Sequence, residues 1–292
     1  MGKLKIESPH IRGVAITGVG VLLVSPDSLL VRLIETDVWS LLFYRGLFVA
    51  LALVVFFAIR FDREMPNLFL AVGWVGILAG CLTTVSNILF VLSLTLTTTA
   101  NTLVIFSVAP LFAAIFSRAV LKEAIEPVTW FAALVVFVGI VVIFSGSLGG
   151  GSLLGDLCAI LASCFFAACL TALRYKKGTN MVPSVAFAGL FTALAVFPFA
   201  SPFSINFYDF SLLVIMGIIV LPVGHGLITL GPRLISAPEV GLLVLVEAVL
   251  GPYWVWIFIN EVPAVQTILG GIIILGTLVL HTVYILKRDI KY

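Results

Sequence analysis

The stretch VEAVLGPYWVWIFINEVP, residues 246–263, is long and apolar enough to cross a membrane as a helix, yet Glu247 and Pro252 lie within it. A helix needs about 20 residues to cross the hydrocarbon layer of a bilayer. A carboxylate at that depth is costly, so it is found facing a bundle interior, a partner or a water-filled cavity. The stretch therefore predicts a membrane helix whose Glu247 points into a helix bundle.

The composition of the whole chain agrees with a membrane location. Of the 292 residues, 62% are hydrophobic and only 10% are charged, and the mean hydropathy is +1.26. Soluble domains carry about 25% charged residues, so this chain could not cover its own surface in water. We expect an integral membrane protein in contact with the lipid bilayer. The net charge of +2 is too small to favour nucleic acid as a partner.

Apolar runs bounded by charge, proline or glycine predict an all-α protein with ten membrane helices. The predicted spans are 12–33, 38–59, 67–93, 99–119, 128–145, 153–174, 182–200, 210–230, 237–259 and 264–286. The first run lacks a small-residue cleavage site, so we expect it to be retained as a helix.

The distribution of charge predicts how the spans are oriented. If the spans alternate in direction, every Lys and Arg except Arg32 and Arg45 falls on the side of the N-terminus. The charged residues in the loops on the other side are all acidic: Glu35, Asp37, Asp209 and Glu261. Because positively charged loops stay in the cytoplasm, we expect both termini to be cytoplasmic.

An internal repeat divides the chain in two. Residues 109–144 and 247–280 each contain a proline-bearing apolar helix that ends in a lone glutamate, then a turn with proline, then a glycine-containing helix. The separation of the two glutamates, Glu123 and Glu261, is close to half of the chain, and we call it the repeat interval. Five spans are an odd number, so the second copy should be inverted, as in alternating-access carriers.

The repeat sets the predicted organisation of the chain. A cytoplasmic tail (1–11) precedes the first five-helix repeat (12–145), and a glycine-rich linker (146–152) follows it. The second, inverted repeat (153–286) ends in a cytoplasmic tail (287–292). Because one chain holds both halves, a monomer is sufficient for transport; a dimer is the alternative.

The repeated helix-Glu-Pro-helix unit, together with FYRG at 43–46, resembles the drug/metabolite transporter superfamily, EamA type. The segment LLVLVEAVLGPYWVWIFINE at 242–261 is similar to the corresponding segment in a branch of this family that includes the YddG-type amino-acid exporters. The resemblance covers essentially the whole chain. It implies a ten-helix fold and export of small organic solutes across the plasma membrane, which is the inner membrane in bacteria.

Two charged residues within spans are candidates for a solute site. Glu247 either contacts a solute amine, carries a coupled proton, or makes a buried hydrogen bond to a neighbouring helix. Arg45, beside Tyr44 in the second span, either binds a carboxylate, forms an ion pair near the outer surface, or snorkels to the outer headgroups. Tyr44 is a further candidate for the solute pathway.

Three prolines predict distortions of the spans. Pro26 removes a backbone donor and kinks the first span. Its neighbour Asp27 then either faces a cavity or caps a second half-helix. Pro110 and Pro252 occupy nearby places in the two repeats, and each is either a hinge or a static bend.

Five further residues are candidates for the solute pathway. Asn87, Asn101 and His225 are polar residues within spans, and each either lines the pathway or bonds a neighbouring helix. Trp254 and Trp256 near the outer end of the ninth span either belong to an interfacial aromatic belt or line the site of an apolar solute.

These features predict a secondary exporter of small organic metabolites, with amino acids as the leading class. Glu247, Asp27 and His225 are the candidates for proton coupling. The sequence contains no catalytic, metal-ligand or nucleotide-binding motif, so we expect no enzyme activity, metal or cofactor. The alternatives are an exporter of other amphipathic metabolites or drugs, and a membrane-embedded lipid-modifying enzyme.

Overall fold

The structure of the chain is a computed structural model that describes residues 9–123, 127–147, 153–202, 205–260, 262 and 265–289. In this part of the chain every regular element is a helix and no strand occurs. The predicted all-α fold is confirmed. Glu261, one of the two repeated glutamates, lies outside the described residues, as do most of the predicted N-terminal tail and linker and half of the predicted C-terminal tail.

Fifteen α-helices form the described fold. They are α1 (Pro9–Val24), α2 (Asp27–Leu33), α3 (Val38–Phe61), α4 (Met65–Ala71), α5 (Gly73–Leu96), α6 (Thr99–Phe106), α7 (Ala109–Phe116), α8 (Pro127–Ser147), α9 (Leu153–Tyr175), α10 (Pro183–Val196), α11 (Phe207–Val214), α12 (Leu221–Leu230), α13 (Ala237–Val244), α14 (Glu247–Ile259) and α15 (Val265–Asp289). A π-helical segment, Ile215–Val220, joins α11 to α12.

The helices suit a bilayer by their length and by their outer surface. Within the described residues, seven helices or joined helix pairs are long and apolar enough to cross a membrane, and the apolar parts of α8 and α10 are shorter. Large apolar side chains face outward along the bundle; Ile59, Trp74 and Phe131 are 81%, 69% and 66% exposed. In water such a surface would aggregate, whereas lipid covers it. The number of crossings, ten by sequence, stays a prediction.

Three predicted boundaries differ from the structure. The third span does not begin at residue 67, because α4 is a separate short helix and Gly73, with a φ of 57°, turns the chain into α5. Glycine adopts this left-handed conformation without steric cost. Helix α1 begins at Pro9, within the predicted tail, and α8 continues to Ser147, within the predicted linker.

Three spans are broken at mid-length. The first span breaks at Ser25 and Pro26, between α1 and α2. The fourth breaks at 107–108, between α6 and α7, and the ninth at 245–246, between α13 and α14. Backbone groups freed in this way persist at membrane depth only where protein or a water-filled cavity surrounds them. The breaks therefore mark the interior of the bundle.

Local features recur along the chain at the repeat interval. Helices α6 and α13 are each eight residues long. Their first residues, Thr99 and Ala237, are separated by this interval, as are the two breaks that follow. The residue before each helix, Thr98 or Ser236, accepts a hydrogen bond from the backbone N–H three positions later.

A further pair of serines follows the same spacing. Ser25 and Ser163 are separated by the repeat interval, and each hydroxyl donates to the backbone carbonyl three positions earlier. The same local hydrogen bond thus occurs at equivalent places of the first and sixth predicted spans.

Helices α3 and α10 cross with their backbones in contact at Gly46 and Gly189. A Cβ added to either glycine would lie 2.6 Å from the carbonyl oxygen of the other. The contact is reciprocal, so neither glycine can gain a side chain without meeting the other helix. Helix α5 packs on α9 and α1 packs on α12, while α8 and α15 pack on each other.

The glycine crossing yields a stability prediction. We expect Gly46→Ala to lower the unfolding temperature of the detergent-solubilised protein by several degrees, because the new methyl group meets a backbone oxygen, and overpacking costs about 1–3 kcal/mol. Gly18→Ala is the matched control, since no atom lies within 4 Å of the added Cβ. Equal unfolding temperatures of the two variants would contradict the close crossing.

Candidate functional site

A cavity of about 30 Å³ lies inside the bundle, beside the breaks in the first and ninth spans. Its wall is formed by Val24, Asp27, Arg45, Ser86, Asn87, Phe90, Phe106, Phe166, His225, Ile228, Val244 and Glu247. The space suffices for about two water molecules. An organic solute therefore fits only after the surrounding helices move apart.

Asp27 and Arg45 form a buried ion pair at the edge of this cavity. Nη1 of Arg45 donates to Oδ1 of Asp27 at 2.6 Å, and the Arg45 and Asp27 side chains are 4% and 2% exposed. The interpretation of Arg45 as a snorkelling residue is therefore wrong, because its guanidinium points into the bundle. Nor is Asp27 a helix cap: Pro26 holds the N-cap position of α2 and no side-chain cap is formed.

Glu247 is the first residue of α14, directly after the break in the ninth span. The residue is 7% exposed, and its side chain lines the cavity. Among the described residues, no hydrogen bond reaches its carboxylate. Of the alternatives for Glu247, the buried hydrogen bond to a neighbouring helix is therefore not formed within this part of the chain, and the carboxylate lines the cavity.

Asn87 of α5 and His225 of α12 are separated along the chain by the repeat interval. Both line the cavity, and both also line a second cavity of about 20 Å³ beside the Gly46–Gly189 crossing. Arg45 lies between the two cavities and contributes to each wall. The polar groups predicted in separate spans thus converge on one place.

Three phenylalanines form an aromatic wall on the cavity. The rings of Phe90 and Phe106 are 5.2 Å apart in an edge-on arrangement, and Phe106 and Phe166 are 5.3 Å apart. Sequence reasoning did not single out these residues, because nothing distinguishes them from the other phenylalanines of the chain. The wall offers a surface for an apolar or aromatic part of a solute.

Four sequence candidates do not line the cavity. The hydroxyl of Tyr44 donates to the carbonyl of Pro202 at 2.9 Å, and Trp256 is 46% exposed on the outside of the bundle. Asn101 is buried, and its side-chain amide donates to the hydroxyl of Thr97. Nε1 of Trp254 donates to the Ser25 hydroxyl at 3.0 Å, which ties α14 to the break in the first span.

The breaks differ from the proline pattern. Pro26 lies in the break of the first span, and Pro110 comes shortly after the break of the fourth span. Pro252, in contrast, lies inside the continuous helix α14, well after the break at 245–246. The distortion of the ninth span therefore arises without a proline at the break, in a place equivalent to that of the fourth span.

Side-chain contacts join the helices at both ends of the bundle. At the end where α1 begins, Nε of Arg174 donates to Oε1 of Glu123 at 3.0 Å, and its Nη1 donates to the carbonyl of Pro232 at 3.0 Å. At the same end, Nε2 of His10 lies 3.0 Å from Oε1 of Glu239.

The opposite end is joined by Arg32. Its Nη2 donates to the carbonyl of Thr97 at 2.9 Å and its Nε to the hydroxyl of Thr99 at 3.0 Å. Arg32 and Arg174 both lie in the last turn of a helix, and each bonds the connection between two later spans. The cavity thus lies between two sets of polar contacts.

Within the described residues, no group of three or more His, Cys, Asp or Glu side chains could hold a metal ion. The cavity groups are instead one ion pair, one carboxyl, one imidazole, one amide and one hydroxyl against an aromatic wall.

Long apolar helices and a buried polar cavity define a multi-span membrane protein. Residues 27–145 match the EamA-like transporter family, and over these residues the resemblance seen in the sequence is confirmed. The match over these residues favours a membrane transporter of small molecules.

The fold is shared over nearly the whole chain with a solved crystal structure. The two superpose with a TM-score of 0.72 at 17% sequence identity, over 93% of this chain and 98% of the other. At this identity the likeness extends to the fold alone. No curated protein matches the sequence significantly.

The buried ion pair yields a second stability prediction. Asp27→Asn or Arg45→Met leaves one partner buried and unpaired, which costs about 3–5 kcal/mol of unfolding free energy. Glu123→Gln breaks a more exposed pair, worth about 0–1 kcal/mol. We expect Asp27→Asn and Arg45→Met to lower the unfolding temperature in detergent more than Glu123→Gln does. If Asp27→Asn were no more harmful than Glu123→Gln, the pair would not have the buried role inferred for it.

Proposed function

We propose that the chain is a secondary exporter of small organic metabolites, with amino acids as the leading class, that works by alternating access between two inverted repeats. The observation that carries this proposal is the carboxyl of Glu247, which makes no hydrogen bond or ion pair among the described residues and lines a small buried cavity beside the Asp27–Arg45 pair and an aromatic wall. A zwitterionic solute offers an ammonium for Glu247, a carboxylate for Arg45 and a side chain for the phenylalanines.

Recurring backbone features support the inverted repeat. The breaks in the fourth and ninth spans are separated by the repeat interval, and so are Lys122 and Asn260. Lys122 lies near the end of the fourth span and Asn260 near the end of the ninth. Both adopt a left-handed conformation, with φ of 54° and 61°. Such a conformation is uncommon for residues other than glycine. Its recurrence at the same interval favours two copies of one five-helix unit.

Contacts between the fourth and ninth spans support a two-fold relation between the copies. Gly241 of α13 packs on Pro110 of α7, and Gly251 of α14 packs on Leu103 of α6. The repeat interval separates Leu103 from Gly241, and a nearly equal interval separates Pro110 from Gly251. The second contact therefore repeats the first with the roles of the spans exchanged, as a two-fold axis requires.

The contacts at the bundle ends suit alternating access. A central cavity with polar contacts at both ends excludes a solute from either side. Opening one end requires loss of the Arg174 contacts, and opening the other requires loss of the Arg32 contacts. We propose that the end with Arg174 is cytoplasmic, since the basic residues cluster there in sequence, and that the membrane is the plasma membrane.

Proton coupling would use the groups that line the cavity. Glu247, Asp27 and His225 are the titratable side chains there besides Arg45. Of these, Asp27 already holds a charged partner. Glu247 is therefore the first candidate for a carboxyl that exchanges a proton for a solute.

Flux measurements with purified protein in liposomes test this proposal. We expect saturable transport of some radiolabelled amino acids, altered by a pH gradient, and a loss of at least tenfold in Glu247→Gln. Glu64→Gln is the matched control, because Glu64 is exposed at a bundle end. Absence of flux for every amino acid would overturn the substrate class. Equal flux in Glu247→Gln and wild type would overturn the site.

A further inference from the structure

Resting on the proposed transport function, we infer that the group the cavity requires of its solute is an ammonium, and that a solute carboxylate is accepted only together with one additional proton. The inference concerns which part of a zwitterion is recognised. It follows from a balance of the charges that line the cavity.

The charged and titratable groups of the cavity come from four helices. They are Asp27 of α2, Arg45 of α3, His225 of α12 and Glu247 of α14. The wall residues contributed by α5, α6 and α9 are Ser86, Asn87, Phe90, Phe106 and Phe166, none of which carries a charge. The charge of the occupied site is therefore set by these four groups and the solute.

The guanidinium of Arg45 is already neutralised. Its Nη1 lies 2.6 Å from Asp27, and the pair is almost fully buried. If a second carboxylate came beside Arg45, one positive charge would face two negative charges. In a buried site a charge without a counter-charge is strongly unfavourable. Arg45 can thus orient a carboxylate but does not supply the charge that balances it.

In its ionised form, Glu247 is the charged group of the described cavity wall that has no ion-pair partner of its own. A solute with an ammonium and no carboxylate balances it, and the occupied cavity is then neutral. A zwitterion in the same place leaves one negative charge over. A proton on His225, Glu247 or Asp27 restores neutrality, so the complex with a zwitterion holds one proton more than the complex with an amine.

Three related probes separate these cases. L-phenylalanine carries both groups, 2-phenylethylamine lacks the carboxylate, and 3-phenylpropanoate lacks the amine; their common ring suits the aromatic wall. Binding to full-length protein in detergent is measured by calorimetry between about pH 5.5 and 7.5, where a free ammonium and a free carboxylate both stay charged. L-phenylalanine and 2-phenylethylamine both bind the same free protein. The difference between their slopes of log Kd against pH therefore reports the difference in bound protons between the two complexes.

We expect 2-phenylethylamine to bind at least as tightly as L-phenylalanine, and 3-phenylpropanoate to bind at least tenfold more weakly than the amine. The two slopes should differ by one proton. Glu247→Gln should weaken the amine at least tenfold, whereas Glu64→Gln should leave it unchanged. The ligand series and slopes are measured on wild type, so they test the inference even if Glu247→Gln fails to fold.

Three results would overturn the inference. They are binding of 3-phenylpropanoate as tight as that of the amine, equal slopes for amine and amino acid, and absence of binding by all three probes. Amino-acid flux in liposomes, measured separately, then decides the proposed function. If amino-acid flux persists after any of these results, the proposed transport function is retained. Only the inference about the ammonium and the additional proton is then rejected.

Discussion

The Asp27–Arg45 ion pair is the contact on which the centre of the bundle depends. It joins the half-helix that follows the break of the first span to α3, and both of its side chains are almost fully buried. Two charges at this depth are tolerable only because each neutralises the other. The pair therefore fixes the position of the broken helix, and with it the edge of the cavity that Glu247 and His225 complete.

Much of the site was predictable because a bilayer penalises polar side chains. Asp27, Arg45, Asn87, His225 and Glu247 are polar residues inside apolar runs, and each such residue must turn inward, so they meet in the middle of a small bundle. The rule has a limit. It also selected polar residues such as Asn101, which bonds its own connecting turn instead of lining the cavity.

The rest of the site lacked a sequence signal for physical reasons. In lipid a helix is apolar on every face, so hydrophobicity does not indicate which of two tryptophans turns inward; Trp254 contacts Ser25 whereas Trp256 faces outward. The break before Glu247 has no proline at its position, so it became visible only in the backbone. The division into two repeats, suggested by Glu123 and Glu261, gains support from structural recurrences that the sequence alone did not display.

The glycine crossing of α3 and α10 has a mechanical consequence. At Gly46 and Gly189 the two helices meet mainly through backbone atoms, and the Cβ atoms of Thr192 and Ala50 pack beside them. When two helices rotate against each other about such a point, no knob has to leave its hole. If the proposed alternating access holds, a small rotation about this crossing produces its largest displacements at the ends of the bundle, where the contacts of Arg32 and Arg174 lie.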